Sequence, residues 1–330
     1  GGVRALEALG LEPTVFHMNE GHSAFSGLER MRKLMKREGV SLDVAKEMVK
    51  SNAVFTTHTP VPAGNDYFPA DLMRKYFGKY VEGLGLPFND CLALGRQNPD
   101  DQQEQFCMTV LAMRLSNYRN GVSKLHSQVS RGMWKGIWPV FPKRDVPIVS
   151  VTNGVHIPSY ISQEMADLYN RYLGPRWIED PDNQKVWERV DLIPDTELWR
   201  THERRRERLI AFARRRLKEQ IVRRGELPSE IKHAEDVLNP EALTICFSRR
   251  FATYKRGDLL FRDAERLARI LNDPERPVQI IFAGKAHPQD MAGKAIIKNI
   301  IQHVHEEEFR YKVVFLEDYD INVARYMVQG

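Results

Sequence analysis

Three short apolar runs dominate the C-terminal part of the chain: Leu243-Thr244-Ile245-Cys246-Phe247-Ser248, Val278-Gln279-Ile280-Ile281-Phe282-Ala283 and Lys312-Val313-Val314-Phe315-Leu316. Between them, over 257–271 and 290–306, apolar residues recur every three or four positions. Continuous apolar strands alternating with amphipathic helices predict an α/β class with a parallel sheet covered on both faces. Nearer the N-terminus, Thr14-Val15-Phe16-His17-Met18 and Ala53-Val54-Phe55-Thr56-Thr57 read as strands, each followed by a polar turn and a helix. Pro60-Val61-Pro62-Ala63-Gly64-Asn65-Asp66 reads as a loop, because Pro removes donors and Gly admits positive φ. A long helix is predicted over 103–118, and a strand within 146–155 ending in Thr152-Asn153-Gly154. From 161 to 235 the pattern is almost wholly helical.

The 330 residues allow about two domains and a sizeable buried core. Apolar residues at 42% and charged residues at 28% exclude a disordered or fibrous chain, and no apolar run is long enough to cross a membrane. Cys91, Cys107 and Cys246 are scattered and odd in number, which supports neither a disulfide framework nor a zinc site and favours a reducing cytoplasm. The net charge of +5 is mild. Its one dense basic region, Glu203-Arg204-Arg205-Arg206-Glu207-Arg208 with Arg214-Arg215-Arg216, lacks the interleaved aromatics of a nucleic-acid surface. It is expected to be a solvated helix face with Leu209, Ile210, Phe212 and Leu217 turned inward, so that Arg205→Ala should change activity little. The chain opens on Gly1-Gly2-Val3 and stops within a helical pattern at Gly330, and reads as an internal piece of a longer protein.

Open α/β sheets bind ligands beyond the carboxyl ends of their strands. After the first C-terminal strand comes Ser248-Arg249-Arg250-Phe251-Ala252-Thr253-Tyr254-Lys255-Arg256. Cations just past a buried strand are costly unless an anion meets them, and Arg forks with a Lys point charge suit phosphate. Gly284-Lys285-Ala286 follows the second strand and Glu317-Asp318-Tyr319 the third. In the N-terminal half, Asn19-Glu20-Gly21-His22 and Thr57-His58-Thr59-Pro60 suit hydrogen bonding to sugar hydroxyls. The spacing of His17 and His22 fits no common metal motif, so no metal is expected. Glu20 and Glu317 could be paired as a glycosidase's two carboxylates only if the fold brought them together.

Taken in order, Asn19-Glu20-Gly21-His22, Thr57-His58-Thr59-Pro60, Asn120-Gly121-Val122-Ser123-Lys124-Leu125-His126-Ser127, Thr152-Asn153-Gly154-Val155, Arg249-Arg250-x4-Lys255-Arg256, Gly284-Lys285-Ala286 and Leu316-Glu317-Asp318-Tyr319 resemble the α-glucan phosphorylases, the glycogen and maltodextrin phosphorylase family, in its shorter bacterial and archaeal branch. The resemblance implies two Rossmann-like domains facing a cleft, glycosyltransferase-B-like and both incomplete here. Residues 1–128 would be the last part of the N-terminal α/β domain, 129–240 an interdomain crossover with the charged helical segment, and 241–330 the first half of the C-terminal Rossmann-like domain.

It also implies a cytoplasmic glycosyltransferase of glycogen metabolism, in a family with allosteric members. Inorganic phosphate would cleave terminal α-1,4 links of a glucan (glycogen, starch or maltodextrin) to give glucose 1-phosphate with retained configuration, helped by pyridoxal 5′-phosphate. Arg250 and Lys255 would hold the substrate phosphate. Arg249, with Lys255, would face the cofactor phosphate, and Tyr319 would pack beside the cofactor ring. His58 and Asn120 would bond the glucosyl unit, while Tyr254, Glu20 and Lys285 line the same cleft. The family's cofactor-bearing Lys segment has no counterpart before Gly330, so these residues alone are expected to be inactive. A homo-oligomer is one expectation; a nucleic-acid or membrane partner is not. The competing readings are a nucleotide-sugar glycosyltransferase such as a glycogen synthase, and a non-catalytic carbohydrate-binding relic.

Overall fold

The computed structural model describes residues 1–330, the side chain of Ala63 excepted. The chain forms two compact units, Gly1–Gly154 and Val155–Gly330. Nine strands run in order: β1 (Phe16–Asn19), β2 (Ala53–Thr57), β3 (Tyr67–Phe68), β4 (Phe106–Cys107), β5 (Tyr118–Gly121), β6 (Val149–Ser150), β7 (Leu243–Ser248), β8 (Val278–Ala283) and β9 (Val313–Leu316).

In the first unit β1, β2, β5 and β6 form a parallel sheet in that order, while β3 and β4 pair as a small antiparallel ribbon. Met18, Ala53 and Phe55 on the strands pack with Leu28 and Met31 of the helix Phe25–Glu38 and with Val110, Leu111 and Met113. The expected helix over 103–118 is instead β4, a helix Met108–Arg114, and then β5. The helix stops because the Ser116 hydroxyl bonds back to the Ala112 carbonyl and the Asn117 N–H turns to the Lys50 carbonyl at 3.1 Å. β5 then enters the sheet although it carries Arg119 and Asn120, since Asn120 finds its partner in Thr56 of β2.

In the second unit β7, β8 and β9 are parallel and adjacent, in the register Cys246 beside Ile281 and Ile281 beside Val314. Alternation along the strands sends Ile280, Phe282, Val313 and Phe315 to one face, against the helices Ala264–Leu271 and Met291–Val304. Ile281, Ala283, Val314 and Leu316 go to the other, against Leu209, Ile210, Phe212 and Ala213 of the helix Asp195–Arg224 and Val323 and Met327 of the helix Ile321–Gln329. A parallel sheet sandwiched by helices is the predicted class. Asp320 caps the last helix by accepting from the Val323 N–H at 2.8 Å.

The units differ from the three expected ranges. Position 128 lies inside the helix Lys124–Met133, and β6 pairs with β5, so the first unit runs to Gly154. The charged helical segment does not stand apart: its apolar stripe packs on one face of the second unit's sheet.

The face of that helix also differs from expectation. Arg205 and Arg206 are buried. Arg205 pairs with Glu164 at 3.0 Å and bonds Gln329, and Arg206 donates to the Pro240 carbonyl at 2.5 Å. Spacings of four and three place Thr201, Arg205, Leu209 and Phe212 on one inward stripe, and all four are buried.

Candidate active-site residues

Each unit carries a separate group of polar residues at the carboxyl ends of its parallel strands. In the first unit Glu20 ends β1 with φ 66° and ψ 175°, a backbone region essentially reserved for glycine. Its carboxylate compensates by gripping the loop after β2. One oxygen accepts from the His58 N–H, from the Thr59 N–H at 2.8 Å and from the Thr59 hydroxyl at 3.1 Å. Glu20 is therefore committed to shaping this loop, which leaves the His58 ring exposed and without a hydrogen bond among the described residues.

Behind the loop a polar chain crosses three strands. The Thr56 hydroxyl donates to Asn120 Oδ1 at 2.8 Å and lies 2.8 Å from His17 Nε2. Since the single hydroxyl proton goes to Asn120, His17 is the donor in the second bond. Asn120 is 8% exposed and its amide is engaged. Asn153 presents the contrast: its N–H is tied to the Val122 carbonyl at 3.2 Å, while its side chain is exposed and unbonded among the described residues. The imidazole of His22 sits 3.4 Å from Asp66.

In the second unit the loop after β7 is clamped onto the loop after β8. The Arg249 N–H donates to the Ala283 carbonyl at 3.3 Å and the Phe251 N–H to the Lys285 carbonyl at 2.9 Å. Phe251 between them is buried against Phe247 and Phe315. The clamp needs Gly284: at φ 152° a Cβ there would lie 2.0 Å from the Arg249 carbonyl oxygen. Arg249 and Arg250 are exposed beside this anchor, and Lys255, in a short helical turn, is half-buried.

Among the described residues, none of Arg249, Arg250, Lys255 and Lys285 forms an ion pair. Burial lowers the Lys255 pKa below the usual amine value, and the charges of Arg249 and Arg250 push it further the same way. At ~4 Å and an effective dielectric near 20, one pair of like charges costs about 4 kcal/mol, and an anion reverses that sign. Tyr254 is exposed, with the Lys255 Nζ 5.6 Å from its ring centre.

The edge after β9 is different. Glu317 pairs with Arg223 at 2.7 Å and with Arg224, and Asp318 with Arg223 at 2.8 Å. Burial works to raise the Glu317 carboxyl, but the bonds from Arg224 and Arg223 outweigh it and hold it below its ordinary range. Glu20 and Glu317 are thus both occupied, which removes the two-carboxylate reading. Tyr319 is partly buried against the core containing Leu316 and Phe212.

Sequence reasoning missed Asn153 as the exposed amide and the His17–Thr56–Asn120 chain.

The sequence model of the carbohydrate phosphorylase family matches residues 6–330. The chain is 42% identical over its whole length to the maltodextrin phosphorylase of Thermococcus litoralis, covering 38% of that protein. It is 42% identical to the glycogen phosphorylase of Aquifex aeolicus, covering 47%, and 39% identical to that of Mycobacterium bovis, covering 39%. It therefore spans less than half the length of each of these relatives. The ordered motifs, the parallel α/β sheets and a match along almost every residue agree, and the chain belongs to the carbohydrate phosphorylase family.

Proposed function

We propose that the protein is an α-1,4-glucan phosphorylase. Inorganic phosphate takes the terminal glucosyl unit: the bond from C1 to the glycosidic oxygen breaks, a C1–O–P bond forms with retained configuration, and a phosphate proton passes to the departing oxygen. The observation that carries this reading is a clamped loop on which Arg249, Arg250 and Lys255 have no acid partner among the described residues.

Arg250 and Lys255 hold the attacking phosphate, and their charge offsets its repulsion by a second phosphate group. Arg249, with Lys255, would hold the phosphate of pyridoxal 5′-phosphate, and the donor set fits such a dianion because no carboxylate competes for it. When bound, that cofactor supplies a phosphate able to exchange a proton with the substrate phosphate. Tyr319 would pack beside its ring, and Lys285 and Tyr254 would border the anion.

His58, exposed on the loop that Glu20 shapes, bonds a hydroxyl of the glucosyl unit. Asn120, its carboxamide oriented by the Thr56 hydroxyl, would do the same, and the exposed amide of Asn153 is a further donor of that kind. The glucan substrate, a cytoplasmic location and a homo-oligomer belong to this same reading.

Arg250→Ala in the full-length protein should lower kcat/KM for phosphate by roughly 10²-fold or more, each tenfold being ~1.4 kcal/mol. The assay is glucose 1-phosphate release from a maltodextrin. Undiminished release, or glucosyl transfer from a nucleotide sugar without any phosphate dependence, would overturn the assignment.

A further inference from the structure

The edge of the first unit's sheet opposite His58 holds a second cationic site. A cavity of about 350 Å³ is lined by Lys46, Lys50, Arg114, Arg119 and Trp138 together with apolar residues, and by no acid. Lys50 precedes β2 and Arg119 lies near the start of β5, so the cavity sits at the amino-terminal ends of the strands.

The arginines are positioned by neutral groups. Arg114 donates to the carbonyls of Arg96 at 2.9 Å and Gln97 at 3.1 Å, and Arg119 to that of Met113 at 2.7 Å. Carbonyls satisfy donors but leave the charges uncompensated. The Arg114 Nε is buried without any partner. Lys46 has none either among the described residues, whereas Lys50 is paired with Glu47 at 2.7 Å. Glu104 is the acid nearest in influence to Arg114, but its oxygens accept from the N–H groups of Gln97 at 2.8 Å and Asn98 at 3.0 Å. Burial pushes the Arg119 guanidinium down to about 10. Elsewhere in the same unit Arg4 and Arg32 share the carboxylate of Glu29. The Arg119 guanidinium lies 5.0 Å from the Trp138 ring centre, giving the cavity a flat apolar wall beside its charge.

We propose that this cavity binds a phosphate monoester, with the forks of Arg114 and Arg119 and the ammonium of Lys46 on the phosphate and Trp138 against the organic group. The volume is in the range of small-molecule sites. Charge-assisted, two-pronged contacts from Arg are the chemistry that phosphate selects. The inference stands on these residues alone and does not depend on the phosphorylase reading.

The test is calorimetric titration of the full-length protein carrying Arg250→Ala, so that the cluster in the second unit contributes little. Phenyl phosphate and inorganic phosphate are the probes. Phenyl phosphate should bind one site, about tenfold more tightly than inorganic phosphate, and Lys46→Glu should weaken it by at least about tenfold. Lys46 makes no hydrogen bond among the described residues, so this variant leaves the fold intact. Arg119→Gln should abolish binding, with thermal unfolding measured alongside. Equal affinity for the two probes would overturn the ester, and phenyl phosphate binding that survives Lys46→Glu unchanged would overturn the site.

Discussion

Glu20 shows how far a single residue can depart from local preference when its surroundings fix it. A strained backbone of this type costs of order 1–3 kcal/mol and persists only if other contacts hold it. Here those contacts are its own carboxylate on the loop of His58. Glu20→Gly should relieve the backbone while freeing the loop. The expected outcome is a melting temperature no higher than that of the parent, because the lost bonds to a charged acceptor match or exceed the relieved strain, and a glucan kcat/KM lower by about tenfold or more. Glu20→Gln, which keeps an acceptor oxygen, should recover part of the activity. A glycine variant as active as the parent would show that the loop needs no anchor. At this scale the sequence was informative about residue types and silent about commitment. Asn120 and Asn153 both belong to Asn-Gly motifs, yet one lies within β5 with its amide buried on Thr56 and the other lies beyond β6, exposed.

Among the elements, continuous apolar strands were the most legible, because β8 and β9, buried along nearly their whole length, carry few polar positions to confuse the pattern. β7 and β8 begin and end where their apolar runs do. β5 was hidden for the opposite reason: Tyr118-Arg119-Asn120-Gly121 places two polar residues in a sheet, Asn120 satisfied by Thr56 on the neighbouring strand and Arg119 by the Met113 carbonyl of the preceding helix. Arg205 departs from the solvated-face expectation because its four-residue spacing from Thr201 and Leu209 puts it on the inward stripe despite its charge. Truncating it removes a partner of Glu164 and is expected to cost roughly 1–3 kcal/mol of stability. The clamp between the loops after β7 and β8 gives a sharper test. Gly284→Ala cannot keep the Arg249 carbonyl where it is, so the cations of that loop must shift. The phosphate KM should rise at least about tenfold, given how steeply displaced catalytic groups lose rate. A KM unchanged within twofold would mean that the cluster does not depend on the clamp.

At the scale of the whole chain, each of the two units has its own hydrophobic packing and is tied at its surface by a carboxylate held in ionised form. Glu29 in the first unit accepts from Arg32 at 2.6 Å, from Arg4 at 2.8 Å and from Tyr80 at 2.8 Å. The bonds from Arg32 come first in holding its carboxyl far below the ordinary value of 4.5; burial opposes them, and Arg4 and Tyr80 add to them. Glu317 in the second unit is lowered in the same direction. A carboxyl whose folded pKa lies below its unfolded one contributes stability that is complete above the unfolded value and fades as pH falls toward the folded value. These carboxyls should therefore make both units lose stability steadily as pH falls below about 5, with the mild positive charge growing and adding self-repulsion. Glu29→Gln should lower stability at pH 7 by about 1–3 kcal/mol. More tellingly, it should flatten the first unit's response to acid, because the proton uptake on unfolding is gone. Hydrogen exchange of β1, β2 and β5 between pH 7 and 3 separates this unit from the other. An acid response as steep in the glutamine variant as in the parent would show that the Glu29 cluster does not set it.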